Sequence, residues 1–150
     1  MAINPVPAGH HTVTPYLIVK DARQFIEFLQ KAFGAETTEA LKQDSDGIIR
    51  HAELRIGDSM VMIGQARDQW KPMPAGFYLY VPDCDETYKR ALAAGATSLS
   101  EPANQFYGDR HGGVVDQAGN HWWIATHIED VPPEEMKRRA QAAFGSKAKH

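Results

Sequence analysis

A chain of 150 residues, 43% hydrophobic and 23% charged, is sized and composed for one folded core, not for a fibre, a disordered tail or two domains. Its formal charge of -3 and sequence pI near 6.1 offer no clustered positive charge for nucleic acid. No apolar run approaches the ~20 residues that span a bilayer, and the start MAINPVPAGHH lacks the basic and apolar regions of a signal peptide, so the expectation is a cytoplasmic protein with neither membrane nor nucleic acid as partner.

Residues 1–12 read as an N-terminal arm, in which His10 and His11 offer no more than adventitious metal binding. The first strand, Tyr16-Leu17-Ile18-Val19, ends at Lys20-Asp21, an Asp placed to cap the next helix. That helix spans Ala22 to Phe33, with Phe25, Phe28, Leu29, Ala32 and Phe33 at helical spacing, and Gly34 closes it. A hairpin follows from Ile48 to Ile63, turning at Gly57-Asp58, a two-residue turn that sets Glu53 opposite Met62 and His51 opposite Gly64. In it Ala52, Leu54, Ile56, Val61 and Ile63 form the helix-facing set, leaving His51, Glu53, Arg55, Met60 and Met62 on the other face. A connector from Gln65 to Ala75 carries Trp70, Pro72 and Pro74.

The chain then repeats itself. Tyr78-Leu79-Tyr80-Val81-Pro82-Asp83 matches the first strand at a separation of 62, a helix runs from Glu86 to Ala94 before Gly95, and a second hairpin spans Gly113 to Thr126, turning around Gln117 to Asn120. Cys84, the one cysteine, excludes an internal disulfide, and Asp83 and Asp85 beside it disfavour a thiolate. Pro132-Pro133 opens a last helix to about Phe144, with a weak apolar stripe of Met136, Ala140 and Ala143; the basic run Lys137, Arg138 and Arg139 reads as a solvated face.

Each half is thus strand, helix and about three strands, and one helix covers one face of each sheet. The fold class is α+β: two βαβββ modules, about 13–64 and 76–127, forming a cup-shaped mixed β-sheet with helices on the outside. They make one domain, 13–131, followed by the C-terminal helix and tail at 132–150.

The openings PYLIVKDARQFIEFLQKAFGAE and FYLYVPDCDETYKRALAAGA, with HAELRIGDSMVMIG and FYGDRHGGVVDQAGNHWWIATH, together resemble the vicinal-oxygen-chelate superfamily of glyoxalases, bleomycin-resistance proteins and ring-cleaving dioxygenases. The combination looks most like its PhnB-like, glyoxalase-like branch, from about Val13 to His127. Metal-dependent members take His, Gln or Glu ligands from the first and last strands of each module. Those positions fall near Thr14, Met62, Gly76 and Trp123, and a shift of one gives Val61, Phe77 or Trp122, so the resemblance implies lost ligands. No metal or other cofactor is expected. The resemblance also implies a homodimer in which a partner's residues complete or shield the cup.

The expected cup is lined by Tyr16, His51, Glu53, Met62, Tyr78, Tyr80, His121 and Trp123, an aromatic cavity with a few polar groups suited to a small organic molecule. Binding alone, as in drug sequestration by bleomycin-resistance members, is the leading function. His51 and Glu53, two apart on one strand, are the catalytic candidates for a lyase or isomerase acting near a carbonyl, with Arg110 or Arg55 steadying negative charge. Ordinary cross-strand pairing explains the same residues without a ligand. Asp109 and Arg110 read first as a pair locking a Gly-flanked segment. A metal-dependent glyoxalase or dioxygenase ranks third, with a relocated site of His51, Glu53, His121 and His127 as its route. P-loop, dinucleotide, nucleophile-elbow and His-Glu-x-x-His motifs are absent.

Overall fold

The computed structural model describes residues 2–38, 42–43 and 47–145. Module 1 begins with β1 (Tyr16–Val19) and α1 (Ala22–Phe33). The Asp21 side chain accepts a hydrogen bond from the Gln24 amide at 3.1 Å, satisfying a donor that a helix start leaves free. At the other end Gly34 adopts φ 67, a left-handed conformation that glycine takes without strain, and closes the helix onto the Gln30 carbonyl. The buried face of α1 comprises Ala22, Phe25, Ile26, Phe28, Leu29 and Ala32. Each large apolar side chain placed there contributes about 1.5–3 kcal/mol.

Two short strands, β2 (Glu36–Thr37) and β3 (Lys42–Gln43), pair successively with β4 (Ile49–Ile56), which turns through Gly57-Asp58 into β5 (Ser59–Gln65). The two-residue turn fixes the register: Glu53 lies opposite Met62 and His51 opposite Gly64, as the sequence predicts. Ala52, Leu54, Ile56, Val61 and Ile63 are all buried, so the expected alternation holds. Parallel pairing of β1 with β5 completes the sheet in the order β1-β5-β4-β2, with β3 also on β4.

Module 2 repeats this plan with β6 (Gly76–Tyr80), α2 (Cys84–Ala93), β7 (Thr97–Asn104), β8 (Asp109–Val115) and β9 (His121–His127). Its sheet runs β6-β9-β8-β7, with β6 parallel to β9, so the duplication seen in sequence is a duplication of topology. The β8–β9 turn is organised by the buried Asp116 carboxylate, which accepts from the Ala118 and Asn120 amides and from the Trp122 indole N–H at 2.8 Å. Asn120 in turn accepts from the Ala75 amide at 2.9 Å, tying the connector to module 2.

The modules share one core. Phe33 at the end of α1 lies 4.8 Å from Trp122, centroid to centroid, and Phe77 stacks on the same indole at 4.5 Å. Arg90 on α2 reaches the Lys31 carbonyl of α1.

The last helix, α3 (Pro133–Phe144), has no fully buried residue. Arg139 is not simply solvated as expected of the basic run: it bonds the Phe106 carbonyl and Glu129, and with Arg138 it holds Glu135, whose carboxyl is pulled down to about 2 by these two guanidinium partners. Among the described residues no helix is long and apolar enough to cross a membrane.

Candidate functional site

Two polar, aromatic sheet faces emerge. On the module 1 sheet, Tyr16, His51, Glu53, Arg55 and Met62 share the face away from α1. The Tyr16 hydroxyl lies 3.4 Å from His51 Nδ1, with the rings 5.7 Å apart. His51 and Glu53 do not pair with each other. Glu53 instead faces His10 of the N-terminal arm, Oε2 to Nε2 at 3.5 Å, with both side chains largely covered. The arm lacks any periodicity that would place His10 from sequence. Arg55 pairs with Glu36 and stays exposed.

On the module 2 sheet, Asp109 is the centre. Its buried carboxylate accepts from the Tyr78 hydroxyl at 2.7 Å and the Tyr80 hydroxyl at 2.9 Å, and it pairs with His127 Nδ1 at 2.8 Å. The other ring nitrogen of His127 lies 2.6 Å from Asp130. Burial alone would push the Asp109 carboxyl up, but hydrogen bonds from His127, Tyr78 and Tyr80 outweigh it and hold the group below its ordinary range. Asp109 and then Asp130 raise His127 above the usual imidazole value. Burial, followed by hydrogen bonding to Tyr107 and Asp109, drives the Tyr78 phenol far up. The hydrogen bond to Asp109 raises the Tyr80 phenol as well, so both phenols are donors at neutral pH, not bases.

Beside this cluster His111 Nε2 meets the Tyr107 hydroxyl at 2.8 Å, while His111 Nδ1 is buried without a hydrogen-bond partner among the described residues. His121 and Trp123 are exposed on the same face with rings 6.0 Å apart, and the indole of Trp123 fills the space a side chain at Gly76 would need. Sequence reasoning missed Tyr107 and His111. Alternation along β8 was the available signal, because it puts Asp109 and His111 on the face already assigned to Tyr78 and Tyr80.

That alternation also separates Asp109 from Arg110. The expected Asp109-Arg110 pair is replaced by a forked pair of Arg110 with Asp85 of α2, at 2.8 and 3.0 Å, plus a bond to Asn104. Asp85 is held below the usual carboxylate range by that guanidinium, and Arg110 is raised by it. Arg110 thus braces the helix side of module 2 instead of facing Tyr78 and Trp123.

Among the described residues no hydrogen bond, ion pair or ring contact joins the module 1 set (Tyr16, His51, Glu53, Arg55, Met62) to the module 2 set (Tyr78, Tyr80, His121, Trp123) within one chain. The positions near which the resemblance places metal ligands hold Thr14, Met62, Gly76 and Trp123, a donor set that does not fit a divalent cation. Among the described residues no three His, Cys, Asp or Glu side chains gather as a metal-holding group, and His51, Glu53, His121 and His127 do not converge.

Comparison with known proteins agrees with this architecture. The family model described as Glyoxalase/Bleomycin resistance protein/Dioxygenase superfamily matches residues 9–124. An uncharacterised protein of Mycobacterium bovis is 36% identical over 157 aligned residues, covering 97% of each chain. Among solved structures, TioX from Micromonospora sp. ML1 superposes with a TM-score of 0.67 at 26% identity, covering 79% of this chain and 99% of that one. The fosfomycin resistance protein FosX from Mesorhizobium loti, at 19% identity and a TM-score of 0.57, covers 77% and 91% respectively and shares the fold. On the extent of the model match and of the relative's identity, the chain belongs to the glyoxalase/bleomycin resistance protein/dioxygenase superfamily.

Proposed function

We propose that this protein binds a small aromatic or amphipathic molecule, without a metal, in a cup assembled from two copies of the chain. The module 1 face of one copy meets the module 2 face of its partner, and two-fold symmetry makes two identical cups. The observation that carries this reading is the exposure of large aromatics on the two faces: Tyr16 is 52%, Tyr78 42%, Tyr80 62% and Trp123 37% exposed in the single chain. Exposed aromatics concentrated beside a few oriented polar groups mark interaction sites. On this proposal the protein is a cytoplasmic homodimer of the PhnB-like branch, acting by sequestration, for which binding suffices.

The test is sedimentation of tag-free protein, combined with tryptophan emission titrated against a panel of neutral planar aromatics. A dimer whose emission is saturably quenched supports the proposal. A monomer, or a dimer that quenches with none of the panel, overturns it.

A second reading, a lyase or isomerase acting near a carbonyl, is favoured by the His10–Glu53 contact, which supplies a carboxylate–imidazole pair on the module 1 face. His51 and Glu53 remain its acid–base candidates. Turnover with a bell-shaped pH profile that His51→Ala or Glu53→Gln abolishes would establish it. Arg55 shares the module 1 face with them, whereas Arg110 is held by Asp85 of α2.

A further inference from the structure

One cavity on the module 1 face has a composition of its own. It measures about 440 Å³ and is lined by Tyr16, Ile18, Arg50, Gly64, Gln65, Arg67 and Trp70. Two arginines and two exposed aromatic rings border it, and among the described residues none of those lining it is acidic.

The connector is built to place two of these groups. Arg67 and Trp70 exchange both backbone hydrogen bonds, at 2.8 and 2.7 Å, across a two-residue turn. Residues opposed in this way project their side chains from the same side of the ribbon. To close the turn, Asp68 adopts φ 43, the one left-handed non-glycine residue among those described. Such a conformation is uncommon outside glycine and costs on the order of 1 kcal/mol or more. Here it sets a cation beside an indole at the mouth of the cavity. The Arg67 side chain has no hydrogen bond or ion pair among the described residues, and at 52% exposure the Trp70 ring is not core packing.

The Gln65 side chain is held at both ends, accepting from the Ala22 amide and donating to the Lys20 carbonyl, so it shapes the wall. Opposite, the absence of a side chain at Gly64 lets the Tyr16 ring lie along the floor.

We infer that this cavity is a subsite for a planar aromatic anion, with the Trp70 and Tyr16 rings flanking the aromatic body and Arg67 binding its carboxylate. A guanidinium offers planar, forked donors that match a carboxylate, and an indole next to it supplies stacking area. The inference rests on the proposed function and narrows it, from any aromatic or amphipathic ligand to an acidic one.

Two probes of nearly identical shape test it, 2-naphthoate and the neutral 2-naphthamide, each titrated into full-length protein by calorimetry and by tryptophan emission. The expected result is at least tenfold tighter binding of 2-naphthoate, a preference reduced to within twofold by Arg67→Gln. Trp70→Phe should remove most of the quenching while keeping the preference. Equal binding of the two probes, or a preference that survives Arg67→Gln, overturns the anion subsite and leaves the aromatic cup standing. Quenching undiminished in Trp70→Phe also overturns it, because the ligand then lies elsewhere. If neither probe binds, the subsite is wrong, and the neutral-aromatic panel decides the cup separately.

Discussion

The Tyr16 hydroxyl comes within 3.4 Å of His51 Nδ1, over Gly64, the residue that stands opposite His51 in the β4–β5 ladder. A Cβ at position 64 would lie 2.9 Å from the Tyr16 hydroxyl oxygen and 3.1 Å from its Cε1. Backbone strain is not involved there, so Gly64→Ala tests the space alone. Because the group displaced is the far end of an exposed ring, the protein should lose less than about 1 kcal/mol, or roughly 3 °C in Tm. The His51 ring resonances should nevertheless shift as the tyrosine swings away. Calorimetry with a histidine NMR spectrum reads both, and an unchanged spectrum would show that the Tyr16–His51 contact does not persist in solution.

Asp116 invites the opposite expectation. It is buried and accepts from two amides, the Asn120 side chain and the Trp122 indole. Asp116→Ala leaves those donors without their acceptor beneath the packed ring, and unsatisfied buried donors are costly. The expected loss is about 2–4 kcal/mol in urea unfolding, with near-ultraviolet circular dichroism reporting disturbance around Trp122. A loss under ~1 kcal/mol would mean that water replaces the carboxylate freely.

These two sites show what the sequence makes legible. Period-two patterning and the Gly57-Asp58 turn were enough to predict the β4–β5 register to the residue, because one slip would turn Leu54 and Ile63 to the open face. The 62-residue repeat carried the topology. Patterning failed where contacts depend on segments without a period. His10 reaches Glu53 from an arm of irregular structure, and Asp85 captures Arg110 from a helix that sequence cannot orient against β8. The expected single cup divided into two faces for a related reason: alternation assigns a residue to a side of its own sheet and says nothing of how two sheets are placed.

His127 supplies a pH dependence whose sign follows from its partners. Asp109 and Asp130 raise its folded-state pKa above the ordinary 6.5. A raised value means that the protonated ring favours the folded state. The contribution is fully present below about pH 6.5 and is lost as pH rises through the folded pKa. Asp109, lowered by the same contact, contributes with the opposite sense, present above its ordinary 3.8 and lost as pH falls through its folded value. An NMR titration of the His127 ring should give a midpoint above 6.5, falling toward it in Asp130→Asn. A midpoint at or below 6.5 in the parent protein would show that the Asp109–His127–Asp130 contact is not kept in solution.

Metal dependence provides the remaining expectation. Met62 and Trp123, side chains without a hard donor, stand near two of the positions where the family resemblance places metal ligands, while Gly76 offers no side chain and Thr14 only a hydroxyl. Tag-free protein should therefore carry far less than one equivalent of zinc, nickel, manganese or iron by elemental analysis, and prolonged chelation should shift Tm by less than about 1 °C. Adding back each ion should leave the emission of Trp123 unchanged, since no ion binds within reach of the ring. One tightly held ion per chain would point to donors gathered from two copies, with His51 and Glu53 of one facing His121 or His127 of the other. Chelation would then remove the stabilisation that ion binding supplies and lower Tm, and the metal-independent reading of the cup would fall.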